Sequence, residues 1–170
     1  HGGSLIFFVL LLELNAACGG PQAASVLGVG IDIRPHNRQA IEAHPLYRRI
    51  EMIQGSSVAP EVVGQVRARA TGRQRILVCL DSNHTHAHVL AELKAYAPLV
   101  TVGSYCVVFD TVIEDLPAAM YPDRSWGPGD NPKTAVREFL RGHPEFAVDR
   151  RFDSQLMVSV APEGYLRRVG

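Results

Sequence analysis

An α/β fold on a doubly wound, mostly parallel sheet is what this sequence predicts, on two observations. Short β-branched runs alternate along the chain with helical patterns, the order that βαβ units impose. Three of the four runs are almost continuously apolar at their centres, as strands covered on both faces are. With 170 residues there is room for one sizeable core, so 1–170 is read as a single domain.

The first element expected is a helix over residues 5–14, an apolar run interrupted only by Glu13. Followed by Asn15, Ala16, Ala17 and Cys18, this run is similar to the core of a secreted lipoprotein leader. It has no basic segment before it, only His1 and two glycines, and it is too short to span a bilayer. A buried helix packed against a sheet is the reading adopted.

Strands are expected at 25–32, 50–54, 75–81 and 104–110. Helices are expected at 59–70 and 85–97, the second with Val89, Leu90, Leu93 and Ala97 along one stripe. A further helix over 131–141 has Asn131 as its cap and Pro132 in its first turn. The tail reads as two late strands, 156–160 and 165–169, joined by a tight turn at 161–164. Residues 121–130 form a long loop rich in Pro and Gly that carries the only tryptophan, Trp126.

Apolar residues make up 46% of the chain and charged residues 20%, a globular composition. Lys plus Arg equals Asp plus Glu, 17 against 17, so no net field draws the chain to nucleic acid or to an anionic membrane. The partner expected is a small neutral molecule. An apolar sheet edge would favour association into a homo-oligomer. Cys79 and Cys106 fall inside apolar strand runs as small hydrophobes, which suits a reducing cytoplasm.

In open α/β sheets, ligands bind beyond the carboxyl ends of the strands. Three expected strands end in acids, Asp32, Asp81 and Asp110, and the other runs into Gly55, Ser56 and Ser57. A single strand-end Asp is usually a helix cap; three on one rim point to a ligand. Asp32 suits a carboxylate that accepts from ribose hydroxyls. Gly2, Gly3 and Ser4 lead into a helix, where glycines admit a ligand and free N–H groups meet it.

The stretch from Asp81 to His88 admits two readings. His84, His86 and His88 would make a zinc site, although His88 stands where an Asp belongs in the HxHxDH pattern. Alternatively Asp81 and Asp110 hold a hard cation such as Mg2+, with His84 as general base and His86 merely capping the helix. Arg67, Arg69, Arg73 and Arg75 cluster around a helix end, where cations are favourable without any chemistry.

The segments 81–86, 110–115, Trp126-Gly127, 131–136 and Gly164-Tyr165-Leu166, in this order, resemble the cephalosporin hydroxylase family over nearly the whole chain. Its members are class I S-adenosylmethionine-dependent methyltransferases despite the name. They share a fold with metal-dependent macrolide-sugar and catechol O-methyltransferases. The resemblance implies a Rossmann-like, three-layer α/β/α architecture, here expected without its first strand, because the family's cofactor motif begins before His1.

It also implies S-adenosylmethionine and Mg2+, or another divalent cation, as cofactors, and methyl transfer to a hydroxyl of a small molecule. Gly2, Gly3 and Ser4 match the end of the cofactor loop, Asp32 the ribose-binding acid, and Ser56 and Ser57 the adenine side. Asp81 and Asp110 match metal ligands, with Asp81 also counted against the cofactor, and His84 matches the catalytic base. The 121–126 loop would lie near the acceptor. Phe109 stands where relatives carry a second acid, so either Asp110 acts alone or Glu114 or Asp115 compensates. Two other classes stay open: a zinc-dependent hydrolase and a non-catalytic nucleotide-binding remnant.

Overall fold

A computed structural model describes residues 3–30 and 35–170. Its chain forms two compact units, His1–Val62 and Val63–Gly170.

The first unit contains α1 (Gly3–Ala17), β1 (Val26–Gly30), α2 (Pro35–Glu42), a 3-10 turn at Pro45–Arg49 and β2 (Ile50–Gln54). The two strands are parallel, in register from Val26 opposite Ile50 to Gly30 opposite Gln54. Val9, Ile41 and Ile50 form the buried centre. Leu5 lies against Gly28, whose missing side chain makes the room: a Cβ there would be 3.0 Å from Leu5 Cδ1. Glu13, the acid that interrupts the apolar run, accepts from Arg48 and Arg49 at 2.6 Å each. Arg49 also donates to the Gln22 and Ala24 carbonyls, so the end of α1 is tied to the approach to β1.

The helix expected at the start is therefore present and longer, but it is buried along one face only. Phe7, Leu10, Leu11 and Leu14 stay exposed because α1 is apolar all round and has one face against the strands. Among the described residues no helix is long and apolar enough to cross a membrane.

α3 (Pro60–Ala70) crosses into the second unit, which continues with β3 (Val78–Leu80), α4 (His86–Tyr96), β4 (Tyr105–Val108), α5 (Pro132–Gly142), β5 (Phe146–Val148), α6 (Arg151–Leu156) and β6 (Tyr165–Arg168). The sheet order is β3-β4-β6-β5. β3 and β4 run parallel, and β6 runs antiparallel to both of its neighbours. Parallel pairs with intervening helices bear out the α/β expectation, while β6 makes this sheet mixed. Leu93, Val100, Cys106 and Leu166 at its core are fully buried. α5 starts on a capping box: the Asn131 side chain accepts from the Lys133 and Thr134 amides, and Thr134 accepts from the Asn131 amide.

The tail corrects the expected late hairpin. Residues 156–160 form no strand. α6 ends at Leu156, Met157 turns left-handed at φ 59°, and Val158 is 89% exposed. The partner of β6 on that side is β5, whose three residues between Pro144 and Asp149 are too short to show a period. The turn itself forms, with Gly164 N donating to Ala161 O at 2.9 Å. Gly164 must be glycine, since an added Cβ would run into the Val108 carbonyl.

Candidate active site

β3 and β4 leave the sheet on one edge because they are parallel, with Leu80 opposite Val108. The residues that follow are the candidates for chemistry. Asp81, His84 and Asp110 each offer a ligand atom, and these atoms lie within 4.8 Å of one another. His84 Nε2 is 2.6 Å from Asp110 Oδ2. Asp81 is exposed, and the other two are half-buried. Asp110 is left-handed, φ 56° and ψ 22°, at the head of a 3-10 turn over Thr111–Asp115. Thr111, fully buried, pins that turn by donating to the Pro162 carbonyl at 2.7 Å.

Although the residue as a whole is exposed, partial desolvation of its carboxyl, and next the negative charge of Asp110, raises Asp81 above its ordinary range. Among the described residues neither acid pairs with a lysine or arginine. Two like-charged carboxylates and one imidazole fit a divalent cation, with oxygen as the dominant donor.

The 121–130 loop crosses this group. The Trp126 ring is 4.9 Å from the His84 ring, Tyr121 is 5.1 Å from Trp126, and the Arg124 guanidinium lies 5.4 Å from the indole. The far end of the loop is anchored to α4, where Asp130 Oδ1 accepts from the His86 amide at 2.7 Å. Glu114 accepts from Gly129 N and from the Asn131 side-chain amide. Asp115 accepts from Lys133 Nζ at 2.6 Å. The two acids expected to substitute beside Phe109 are thus engaged in holding the loop and the start of α5.

The three histidines of the zinc reading diverge. His86 does not cap α4, whose cap position is Thr85; its ring instead bridges to Thr134 at 2.8 Å and Glu138 at 3.1 Å on α5. His88 faces Ser82 at 3.3 Å and Glu92 at 3.6 Å. Only His84 joins Asp81 and Asp110, the one such cluster found among the described residues. Ser82, Glu92 and the contact of Trp126 with His84 were missed from the sequence. A glutamate inside the buried stripe of α4 was the available signal for Glu92.

In the first unit, Gly3 and Ser4 open α1 and are exposed, with nothing within 4 Å of a Cβ built on Gly3. The first turn of this 15-residue helix carries backbone N–H groups that have no acceptor within the helix. Ser56 is half-buried and Ser57 buried, just beyond β2. Gly55 makes the bend at φ 150°, and a Cβ there would be 2.7 Å from Val62 Cγ2. Helix-start amides and serine hydroxyls are a donor set that fits a nucleoside-bearing cofactor. Gly2 and Asp32 lie outside the described residues.

The profile of the Rhamnosyl O-methyltransferase/CmcI family matches residues 1–169, which spans both units. A rhamnosyl O-methyltransferase of Mycobacterium leprae is 32% identical over 98% of this chain and 67% of its own length. That of Mycobacterium tuberculosis is 28% identical over 99% of this chain, which spans 63% of the relative's length. Among solved structures, the MycE methyltransferase of the mycinamycin biosynthetic pathway, in complex with Mg and SAH, superposes with a TM-score of 0.50. It is 18% identical, over 85% of this chain and 37% of its own.

Proposed function

The chain belongs to the Rhamnosyl O-methyltransferase/CmcI family, and from that premise we propose that it transfers the methyl group of S-adenosylmethionine to a hydroxyl of a small molecule. The observation that carries the reading is the 2.6 Å approach of His84 Nε2 to Asp110 Oδ2, in a group completed by Asp81. In this reading residues 1–170 act as one domain.

Asp81 and Asp110 hold Mg2+ or another divalent cation, which supplies the positive charge that makes an acceptor hydroxyl easier to ionise. His84 takes the hydroxyl proton on Nδ1, the ring nitrogen that Asp110 does not engage. Asp110 orients the imidazole and stabilises its cationic form. Trp126 packs against one side of the ring. S-adenosylmethionine would supply the methyl group, and the task left to these residues is to hold the deprotonated acceptor oxygen in line with it. Gly2, Gly3 and Ser4 serve the cofactor loop, Asp32 takes the ribose, and Ser56 and Ser57 flank the adenine. The Mg and SAH bound by MycE support this cofactor pair.

The name shared by the mycobacterial relatives favours a sugar hydroxyl as acceptor, with antibiotic-type natural products as a second class. A reducing compartment such as the cytoplasm suits the thiols. Burial, helped by the charge of Asp81, pushes Cys79 up to about 11, and burial raises Cys106 further. Isothermal titration with S-adenosylmethionine and its demethylated product, with and without Mg2+, tests the reading. Binding that Asp81→Ala spares, while turnover is lost, supports it; no binding of either nucleoside sinks it.

A further inference from the structure

Behind the loop that carries Asp81 and His84 lies a carboxylate with no place in the chemistry above. Glu92, on the inner face of α4, is 2% exposed. Its Oε1 accepts from Ser82 Oγ at 2.6 Å, and His88 Nε2 stands 3.6 Å away. Its Oε2 is buried and has no hydrogen-bond partner among the described residues. Ser82, His88 and Glu92 are not a nucleophilic triad, because the serine proton points at the glutamate rather than at the imidazole.

A glutamine would accept the same hydrogen bond without the cost of a buried charge, so the charge itself calls for a reason. Ser82 directly follows Asp81, and the hydrogen bond from Ser82 runs from that loop into α4. The negative charge of Glu92 is also felt at Asp81. We propose that Glu92 is a positioning residue for the cation site: through Ser82 it holds the Asp81 loop, and its charge adds to the field of Asp81 and Asp110. A buried carboxylate that is unfavourable in the empty protein becomes favourable once a dication sits beside the acids it backs. The proposal rests on Asp81 and Asp110 being cation ligands.

The test is a calorimetric titration of Mn2+ into the wild-type protein and Glu92→Gln, with thermal unfolding of each in chelator. Glu92→Gln is expected to bind Mn2+ about tenfold more weakly, the order expected of one unit charge screened by protein and water. Without cation it should unfold at the same temperature as wild type or higher, since a buried carboxylate has been replaced by a neutral amide that accepts the same hydrogen bond. A second variant, Ser82→Ala, keeps the charge but frees the loop, and it should also bind Mn2+ several-fold more weakly. Equal Mn2+ affinity in Glu92→Gln and wild type would overturn the role of Glu92 alone. So would a Glu92→Gln protein that is less stable without cation, the mark of a purely structural contact. Wild-type protein that takes up no Mn2+ would remove the cation site and the role of Glu92 together.

Discussion

Asp110 reaches His84 from a left-handed backbone: its Oδ2 lies 2.6 Å from His84 Nε2, at φ 56°. For a residue other than glycine such a conformation is uncommon, although Asp and Asn tolerate it best. It turns the chain sharply after β4, and the buried Thr111 holds the turn.

Asp110→Asn is therefore a clean variant, since asparagine accepts the same backbone. Methyl transfer should fall by about a hundredfold or more, the scale of a lost acid–base arrangement and cation ligand, while stability changes by less than about 1 kcal/mol. Steady-state kinetics beside urea unfolding separates the two effects. Turnover retained in Asp110→Asn would count against both roles given to this carboxylate.

Glu114 gives a pH-dependent prediction. The Gly129 amide, then the Asn131 side chain and Arg137, hold its carboxyl below the ordinary 4.5. A lowered value means that the ionised form is the one the fold stabilises. That contribution is fully present above about 4.5 and is lost as pH falls through the lowered value. Glu114→Gln should be less stable than wild type at pH 7 by about 1 kcal/mol, and the gap should close in acid. A gap that stays constant from pH 7 to pH 3 would show that the charge does not matter.

Trp126 is the only tryptophan in the chain, and its ring is 4.9 Å from that of His84. Its fluorescence should therefore report directly on the cation site. Mn2+ is expected to quench the emission saturably in wild type and not in Asp81→Ala. Quenching that survives in Asp81→Ala would separate the loop from the cation.

Gly164→Ala tests the link between the tail and the site. The new methyl would meet the Val108 carbonyl, two residues before Asp110. Overpacking at this position should cost about 3 kcal/mol in urea unfolding. Unfolding unchanged from wild type would mean that β6 can shift freely against β4.

Much of this was legible in the sequence, for identifiable reasons. β2 was expected at 50–54 and spans Ile50–Gln54, because its apolar run is bounded by arginines and a glycine turn. Asn131 and Pro132 marked the start of α5 because a cap and a first-turn proline are local signals. Asp81, His84 and Asp110 were legible as strand-end residues. Harder cases depended on long-range pairing. Val158 and Val160 alternate like a strand yet join no sheet, the Val160 carbonyl accepting from the Val112 amide in a 3-10 turn, whereas the brief β5 gains its identity from β6. The bridge from His86 to α5 joins residues 48 and 52 positions apart, and no spacing rule reports it.

The place of β6 between β4 and β5 also dictates an order of events during synthesis. β5 emerges from the ribosome before β6, yet among the described residues β6 is the only strand it pairs with. Until residue 168 is made, β4 carries an open edge and β5 has nothing to dock against. The turn bearing Asp110 waits as well, because the Pro162 carbonyl that secures Thr111 belongs to the same late segment. A nascent chain stalled before this segment would thus expose a bare strand edge and an unformed turn at Asp110, a ready target for chaperones and proteases.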